Sequence, residues 1–248
     1  MPAFSVNLIV RDASATLTST LTGLRDLSDD IVVVVDSRSS DASEAIAKKF
    51  TSRVFTHPFS DYSAQRTFAL THARHDWVLS LDADEDVSPD LHRFLREFSA
   101  SPSSGFSAYL LPRHNLIFGR VIRHTNWDPH GLIRLFEKTR GQWRGRIHEQ
   151  WFTTGPVSRV TAPLIHHNYS TVAGFLSRLD TYTTAEAREH PRFSWPALIC
   201  SPVWEFIRRF VIHAGFLDGF HGLFLSFLMG FYKLSVWVKV WQNQYVAI

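Results

Sequence analysis

Short apolar runs punctuate the first hundred residues at regular intervals. They extend from Phe4 to Val10, Ile31 to Val35, Arg53 to Thr56 and Trp77 to Leu81. Their length and their content of β-branched residues predict buried strands in the first, second and fourth runs, and Arg53 to Thr56 is a candidate for a short third strand.

The segments between these runs have the spacing or composition of helices. Leu17, Leu21 and Leu24 recur at helical spacing, and the residues from Ser60 to Ala73 are helical in composition. Asp41 and Glu44 form an Asp-x-x-Glu pattern that predicts the capped start of another helix. Strands alternating with helices predict an α/β fold with a mostly parallel, Rossmann-like sheet. No Gly-x-Gly-x-x-Gly follows the first strand, which argues against a dinucleotide held on a glycine loop.

The fourth strand leads directly into four carboxylates, Asp82, Asp84, Glu85 and Asp86. Open α/β sheets bind ligands at the carboxyl ends of their strands. If the chain stays extended, Asp82 and Asp84 point the same way, as two hard oxygen ligands for Mg²⁺ or Mn²⁺. We therefore predict a metal–phosphate site here.

Three other interpretations of these carboxylates compete with a metal site. A calcium loop starting at Asp82 requires Gly and Glu where the chain has Val87 and Arg93, which excludes that class. A haloacid dehalogenase-type phosphatase usually has Thr or Val where this chain has Asp86. A purely structural role in capping the next helix accounts for Ser88, followed by proline, but not for Asp82 and Asp84.

Charge is distributed unevenly along the 248 residues, although the net charge is only +3. Residues 1–100 contain 10 Lys/Arg and 15 Asp/Glu, whereas residues 101–159 contain 9 and 3. An acidic metal site followed by a basic segment suits a bound diphosphate. Arg134, Arg144 and Arg146 are candidate diphosphate ligands, because guanidinium groups match phosphate oxygens, although each is equally consistent with a solvated basic surface. No nucleic-acid-binding motif accompanies the charge, so we expect no nucleic-acid partner.

The residues after about Pro191 change character. An apolar run from Gly222 to Tyr232 follows a break at residues 215–219, and Arg208, Arg209, Lys233 and Lys239 punctuate the segment. We expect residues 188–248 to form amphipathic helices in a membrane interface, with cations at headgroup level. The alternative is a helical hairpin packed on the catalytic domain or on a partner in a homodimer.

Composition limits the cellular setting. Residues 1–20 lack the basic start and apolar core of a signal peptide, and the single cysteine, Cys200, allows no internal disulfide. We expect a cytoplasmic protein that is peripheral on the inner face of the membrane.

Several motifs together resemble the family-2 inverting glycosyltransferases of the GT-A fold, and most closely the lipopolysaccharide-core branch. The resemblance covers residues 4 to about 187. It rests on the Asp-Ser-x-Ser-x-Asp loop at 36–41, Gln65-Arg66, Asp-Ala-Asp-Glu at 82–85, Leu-Pro-Arg-His-Asn at 111–115, Arg-Leu-Phe at 134–136, the Trp- and Gly-rich segment 141–149, and the segment 163–169. It implies a GT-A catalytic domain over residues 1–187, with a nucleotide-sugar half of about 1–100 and an acceptor half of about 101–187.

The resemblance also implies roles for individual residues. Asp36 and Asp41 would contact the uracil and ribose side of a nucleotide sugar, Asp82 the ribose and Asp84 the metal, with Arg66 also on the donor side. His166 or the adjacent His167 would add a metal ligand, although a core or loop histidine is an equally good interpretation. Glu149 is the favoured general base, with His148 and Asp128 as alternatives. Trp127 and Trp143 are candidates for stacking on a sugar ring, with core packing as the default.

The expected function is therefore a metal-dependent, inverting transfer of a hexose from a UDP-sugar to a glycolipid or lipid-linked saccharide in cell-envelope biosynthesis. The chain departs from the family pattern at Asp12-Ala13, Arg38 and Thr67. These departures leave a second hypothesis, a catalytically weakened sugar-nucleotide-binding or scaffold protein of the same fold.

Overall fold

The computed structural model describes residues 4–101, 105–127, 131–145 and 149–246. They form two compact units, the first made of Met1–His114 with His130–His167 and the second of Asn115–Pro129 with Asn168–Ile248. The predicted boundary near residue 187 separates a catalytic part from a C-terminal part by function. A division by compactness does not test it, so it stays a prediction.

The strands and helices follow in chain order. The strands are β1 (Phe4–Val10), β2 (Ile31–Asp36), β3 (Val54–His57), β4 (Trp77–Asp82), β5 (Glu85–Val87), β6 (Ala108–Leu111), β7 (Arg113–Ile117), β8 (Arg120–Ile122), β9 (Leu132–Glu137), β10 (Gly141–Arg144), β11 (Gln150–Thr153), β12 (Val157–Arg159) and β13 (Leu164–Tyr169). The helices are α1 (Leu17–Thr22), α2 (Ser43–Ala47), α3 (Tyr62–Thr71), α4 (Pro89–Ala100), α5 (Val172–Glu189), α6 (Trp195–Ile207) and α7 (Phe220–Tyr245).

The main sheet of the first unit has the order β12-β6-β9-β4-β1-β2-β3 among the described strands. All four strands predicted from the apolar runs lie in it, side by side and parallel. The antiparallel strand β9 follows β4, so the sheet is mixed but mostly parallel on the side that carries the carboxylates. Strand order reverses between β1 and β4, which makes this edge a topological switch point.

Burial explains why these runs form strands. Every residue of β2 is buried, as are all residues of β1 except Ile9. Helix α4 covers part of the sheet with Leu91, Leu95 and Phe98, and its predicted cap is confirmed, since the Ser88 hydroxyl accepts a bond from the Leu91 amide.

Two local predictions were wrong. Asp41 does not form a capping box, because helix α2 starts after Ala42 and the Asp41 carboxylate accepts from the amides of Ser14 and Ser43 instead. The chain between Asp82 and Asp84 is not extended either: residues 83 and 84 form a turn between β4 and β5. The carbonyl of Ala83 accepts from the hydroxyls of Thr16 and Thr20, which stabilises this turn.

The second unit contains a β7–β8 hairpin and the helices α5, α6 and α7. The predicted break appears as a 3₁₀ turn at Gly215–Asp218, where Ala214 and Gly219 have φ values of 51° and 62°. Helix α7 is, by length and composition, apolar enough to cross a membrane.

Four basic side chains of the second unit form ion pairs. Lys233 pairs with Glu186 at 2.7 Å and Lys239 with Asp180 at 2.7 Å, both on α5. Arg208 and Arg209 both pair with Glu205. These four cations are therefore ion-paired within the unit, and their predicted position at headgroup level stays a prediction.

Candidate active site

The switch point collects polar side chains from neighbouring strands. Asp36 is the last residue of β2 and Asp82 the last of β4, with β1 between them: Val10 pairs with Val35, and Ile9 with Asp82. Because parallel strands end at the same edge, the two carboxylates lie along one edge of the sheet, where α/β proteins bind ligands.

Two buried arginines hold Asp82. Arg66 on α3 donates from Nη2 to Oδ1 at 2.5 Å, and Arg134 on β9 donates from Nη2 to Oδ2 at 2.7 Å. The side chains of Arg66 and Arg134 are only 1% and 5% exposed, whereas that of Asp82 is 28% exposed. The two buried arginines thus fix the Asp82 carboxylate, which stays partly exposed to solvent.

Glu149 joins the same network. Nε of Arg66 donates to Oε1 of Glu149 at 2.8 Å, and Nη1 donates to the Ser80 hydroxyl at 2.9 Å. The Arg66 guanidinium also lies 4.9 Å from the ring of Trp143. One guanidinium therefore links the candidate base to the candidate ribose ligand, although the two carboxylates are 67 positions apart in the sequence.

The fully buried carboxylate of Glu85 contacts both Asp82 and Arg134. Glu85 accepts the backbone N–H of Asp82 at 3.0 Å and a bond from Arg134 at 3.2 Å, and it lies 3.6 Å from Arg113. Neither Glu85 nor Arg113 was predicted as a site residue. The Asp-Ala-Asp-Glu motif and the Leu-Pro-Arg-His-Asn segment contained them, but sequence alone does not pair residues 28 positions apart.

Burial and charge act in opposite directions on these groups. Burial by itself would raise the pKa of Asp82, but Arg134 and Arg66 outweigh it and hold that pKa well below its usual range. Burial opposes the charge of Arg134 in the same way, yet Asp82 and Glu85 raise the pKa of its guanidinium. Both groups therefore stay ionised.

The two predicted metal ligands are neighbours. Strand β13 pairs with β5 so that His166 lies opposite Glu85, and Nε2 of His166 is 3.5 Å from Oδ2 of Asp84. The Asp84 side chain is 32% exposed. Among residues 4–101, 105–127, 131–145 and 149–246, no group of three or more His, Cys, Asp or Glu side chains is placed so that it could hold a metal ion by itself.

A carboxylate and an imidazole fit a divalent ion that keeps water and phosphate oxygens as its remaining ligands. Asp82 does not fit that role here, since each of its oxygens already accepts a bond from an arginine.

Asp86 has a structural role beside this pair. Its carboxylate accepts from the hydroxyls of Ser19 and Thr20 and lies 2.8 Å from Nε2 of His167. His167, the alternative metal ligand, is therefore directed to Asp86, which leaves His166 as the histidine beside Asp84.

In the donor-side loop, Arg38 lies against Asp36. Arg38 donates to both oxygens of Asp36, from Nε at 3.3 Å and from Nη2 at 3.0 Å, and its guanidinium lies 5.4 Å from the ring of Phe59. Asp36 is 2% exposed whereas Arg38 is 53% exposed. Burial opposes ionisation of Asp36, but Arg38 lowers its pKa. Arg38 thus covers the carboxylate that the resemblance assigned to the nucleobase.

Three more of the predicted residues contact aromatic side chains. Arg144 on β10 is exposed and lies 5.1 Å from the ring of Phe152. Trp143 packs against Phe136 and Trp151, which confirms core packing. In the second unit Trp127 packs against aromatic side chains in the same way. The predicted residues Asp128, Arg146 and His148 lie outside the described residues.

Comparison with known proteins identifies the family. The model of glycosyl transferase family 2 matches residues 5–177. The chain belongs to glycosyl transferase family 2. This confirms the resemblance inferred from the sequence motifs, and transferase activity follows as the general activity of the family.

Relatives of this family-2 glycosyltransferase span most of its length. An uncharacterized glycosyltransferase of Rickettsia typhi is 23% identical over 246 residues, covering 93% of this chain and 84% of the relative. The lipopolysaccharide core biosynthesis glycosyltransferase LpsC of Rhizobium meliloti is 24% identical over 226 residues, covering 86% and 83%. The resemblance to the lipopolysaccharide-core branch is thereby confirmed.

A solved structure shares the fold. The mannosyltransferase PcManGT from Pyrobaculum calidifontis, determined in complex with GDP-Man and Mn²⁺, aligns over 98% of this chain and 88% of its own with a TM-score of 0.50 and 14% identity. At this identity the likeness shows the fold alone. The predicted α/β fold of the GT-A type, followed by a C-terminal apolar helix, is confirmed.

Proposed function

We propose that this family-2 glycosyltransferase moves a hexose from a UDP-sugar to a glycolipid or lipid-linked saccharide, with inversion, in the biosynthesis of lipopolysaccharide or a related envelope polysaccharide. The observation that carries the proposal is the buried network in which Arg66 joins Asp82 to Glu149, next to the Asp84–His166 pair. The similarity to LpsC supports the acceptor class.

The donor side is proposed to work through Asp82 and Asp84. Asp82, held by Arg66 and Arg134, is oriented to accept the ribose hydroxyls through its exposed edge. Asp84 and His166 would hold Mg²⁺ or Mn²⁺. Such an ion, when bound, neutralises the leaving diphosphate. Arg144, whose side chain is exposed, supplies a further cation for the phosphate oxygens.

The acceptor side is proposed to depend on Glu149. The acceptor oxygen attacks the anomeric carbon opposite the diphosphate, the bond from that carbon to the diphosphate oxygen breaks, and Glu149 takes the hydroxyl proton. Glu149 is 12% exposed and anchored at 2.8 Å by Arg66, so its position is fixed before the substrate arrives. Such preorganisation is what a general base requires.

A glycolipid acceptor assigns the protein a peripheral position on the inner, cytoplasmic face of the membrane. Assay of the full chain with Mn²⁺ and a panel of nucleotide sugars tests the activity. We expect hydrolysis of one UDP-sugar, transfer to a lipid-linked saccharide, and loss of both in excess EDTA. Activity that persists in EDTA would refute metal dependence. Hydrolysis restricted to sugars of another nucleotide would refute the assignment of a UDP-sugar as donor.

The second hypothesis, a weakened binding or scaffold protein, is favoured by one observation. Arg38 covers Asp36 with two hydrogen bonds, so the carboxylate expected at the nucleobase is not open. Tight binding of UDP without hydrolysis of any donor in the panel would support this alternative.

A further inference from the structure

Helix α7 of the second unit is apolar on its outer side as well as its inner side. Its outer stripe runs at intervals of three and four residues, and its members are 37 to 64% exposed: Leu223, Phe227, Phe231, Leu234, Val238 and Trp241. Its other side buries Leu225, Leu228, Val236 and Val240. A surface helix in water normally carries polar residues outside. This helix therefore requires a partner that is itself apolar.

Helix α6 carries a second exposed apolar stripe. Trp195, Ile199, Val203 and Ile207 follow one another at intervals of four and are 39 to 65% exposed. The two helices are in close contact, since a Cβ placed at Gly230 of α7 would lie 3.0 Å from the Pro202 carbonyl of α6. We call the exposed stripes of α6 and α7 the apolar face. Large exposed apolar areas mark interaction sites.

The charges around the apolar face suit a lipid headgroup region. Residues 195–246 contain four Lys/Arg and two Asp/Glu, a net charge of +2. The two acidic residues, Glu205 and Asp218, are buried, at 6% and 4% exposed. Glu205 accepts from Arg208 and Arg209, and Asp218 accepts from the His124 amide. The segment thus exposes no carboxylate that would repel an anionic membrane surface.

Contacts with α5 decide between lying on a bilayer and crossing it. Lys233 and Lys239 of α7 are tied to Glu186 and Asp180 of α5. Val236 and Val240 pack with Ala187 of the same helix. A crossing α7 would carry these charged side chains into hydrocarbon or leave them unpaired, and both are costly.

We propose that the second unit docks on a lipid bilayer through the apolar face, lying in the interface without crossing the membrane. Insertion of Phe, Leu, Ile and Trp side chains supplies most of the affinity, because the lysines and arginines of the segment are engaged within the unit. The proposal rests on the peripheral position given under the proposed function and names the surface responsible for it. It is tested without any donor, so its failure would leave the transferase activity untouched.

The test uses the full chain with phosphatidylcholine vesicles and with vesicles that also contain phosphatidylglycerol. We expect the protein to sediment with both, and most of it to stay bound in 1 M NaCl. Phe227→Glu and Ile199→Glu should each lower the partition coefficient by about tenfold or more, since each replaces an exposed apolar side chain that would enter the bilayer with a charged one. Leu176→Glu, 41% exposed on α5, is the matched control and should bind as the wild type does.

The single cysteine provides a second readout. Cys200 is exposed on α6. An environment-sensitive fluorophore there should shift to the blue when vesicles are added, and proteolysis from outside should leave no protected fragment. A fragment of α7 protected inside sealed vesicles would overturn the proposal in favour of a membrane span. A second result would also overturn the proposal: the protein binds neither vesicle type and forms dimers, and Phe227→Glu dissociates those dimers. The apolar face would then bind a second copy of the chain.

Discussion

Replacing Arg66 with Met should destabilise the first unit strongly. The Arg66 side chain is 1% exposed and donates to Asp82, Ser80 and Glu149, and it lies over the ring of Trp143. Methionine fills similar volume but donates nothing. Asp82 and Glu149 would then remain partly buried without their shared cation.

The size of the effect follows from that loss. Removing one partner of a buried ion pair costs about 3–5 kcal/mol, because the remaining charge is uncompensated. For a chain of this size that corresponds to a fall in melting temperature of about 6–20 °C. The loss should be smaller in a Glu149→Gln background, since only one of the two carboxylates is then left charged. A coupling of about 0.5–3 kcal/mol between the two substitutions is expected.

Thermal unfolding followed by circular dichroism measures the change in melting temperature. Arg93→Met is the matched control, because Arg93 is 71% exposed and forms an ion pair with Asp90 one turn earlier on the same helix. A change within about 0.5 kcal/mol is expected there. If Arg66→Met melts within two degrees or so of the wild type, the network does not stabilise the unit and the reasoning fails.

Four further outcomes are expected. Asp84→Ala should abolish metal-dependent turnover while leaving the melting curve intact, and unchanged activity would remove Asp84 from the metal site. Glu149→Gln should lower turnover by about a hundredfold or more with donor affinity near wild type, because the amide still accepts from Arg66 but takes no proton; normal turnover would pass the role to His148 or Asp128. Arg38→Gly should expose the Asp36 carboxylate and tighten UDP binding measured by calorimetry, whereas weaker binding would mean that Arg38 itself contacts the nucleotide. Stability should fall as the pH drops below about 4, since the pKa of Asp82 is depressed in the folded state, and Asp82→Asn should flatten the dependence of melting temperature on pH over that range.

The strands at the switch point could be predicted from the sequence, because the apolar runs that identify them are the residues that the fold buries. The runs ending at Val10, Val35 and Leu81 read as strands from local composition, and each lies within one residue of its strand's end. The turn at residues 83–84 was not predictable in the same way. It depends on hydroxyls of Thr16 and Thr20, more than 60 positions earlier in the chain.

The pairing of charges depends still more on tertiary contacts. Sequence motifs selected Arg66, Asp82 and Glu149 as site residues, but Arg66 and Glu149 are 83 positions apart. Nothing local shows that one guanidinium would hold both carboxylates. Lys233 and Lys239 illustrate the same limit, since a cation on an apolar helix suggests headgroups until its partner on α5 is known.

The charge balance of the inner site argues for a cation from outside the protein. Its buried network contains three arginines and three carboxylates: Arg66, Arg113, Arg134, Asp82, Glu85 and Glu149. Because these six groups compensate one another, none of the three arginines is in excess to neutralise a diphosphate. Additional negative charge in a partly buried site must be balanced, since an uncompensated charge there is costly. The Asp84–His166 pair, with Asp84 about one-third exposed, is the part of the described site with ligand atoms for such a cation. The arrangement of arginines therefore supports metal dependence more strongly than the acidic motif alone, and it gives the EDTA experiment its physical basis.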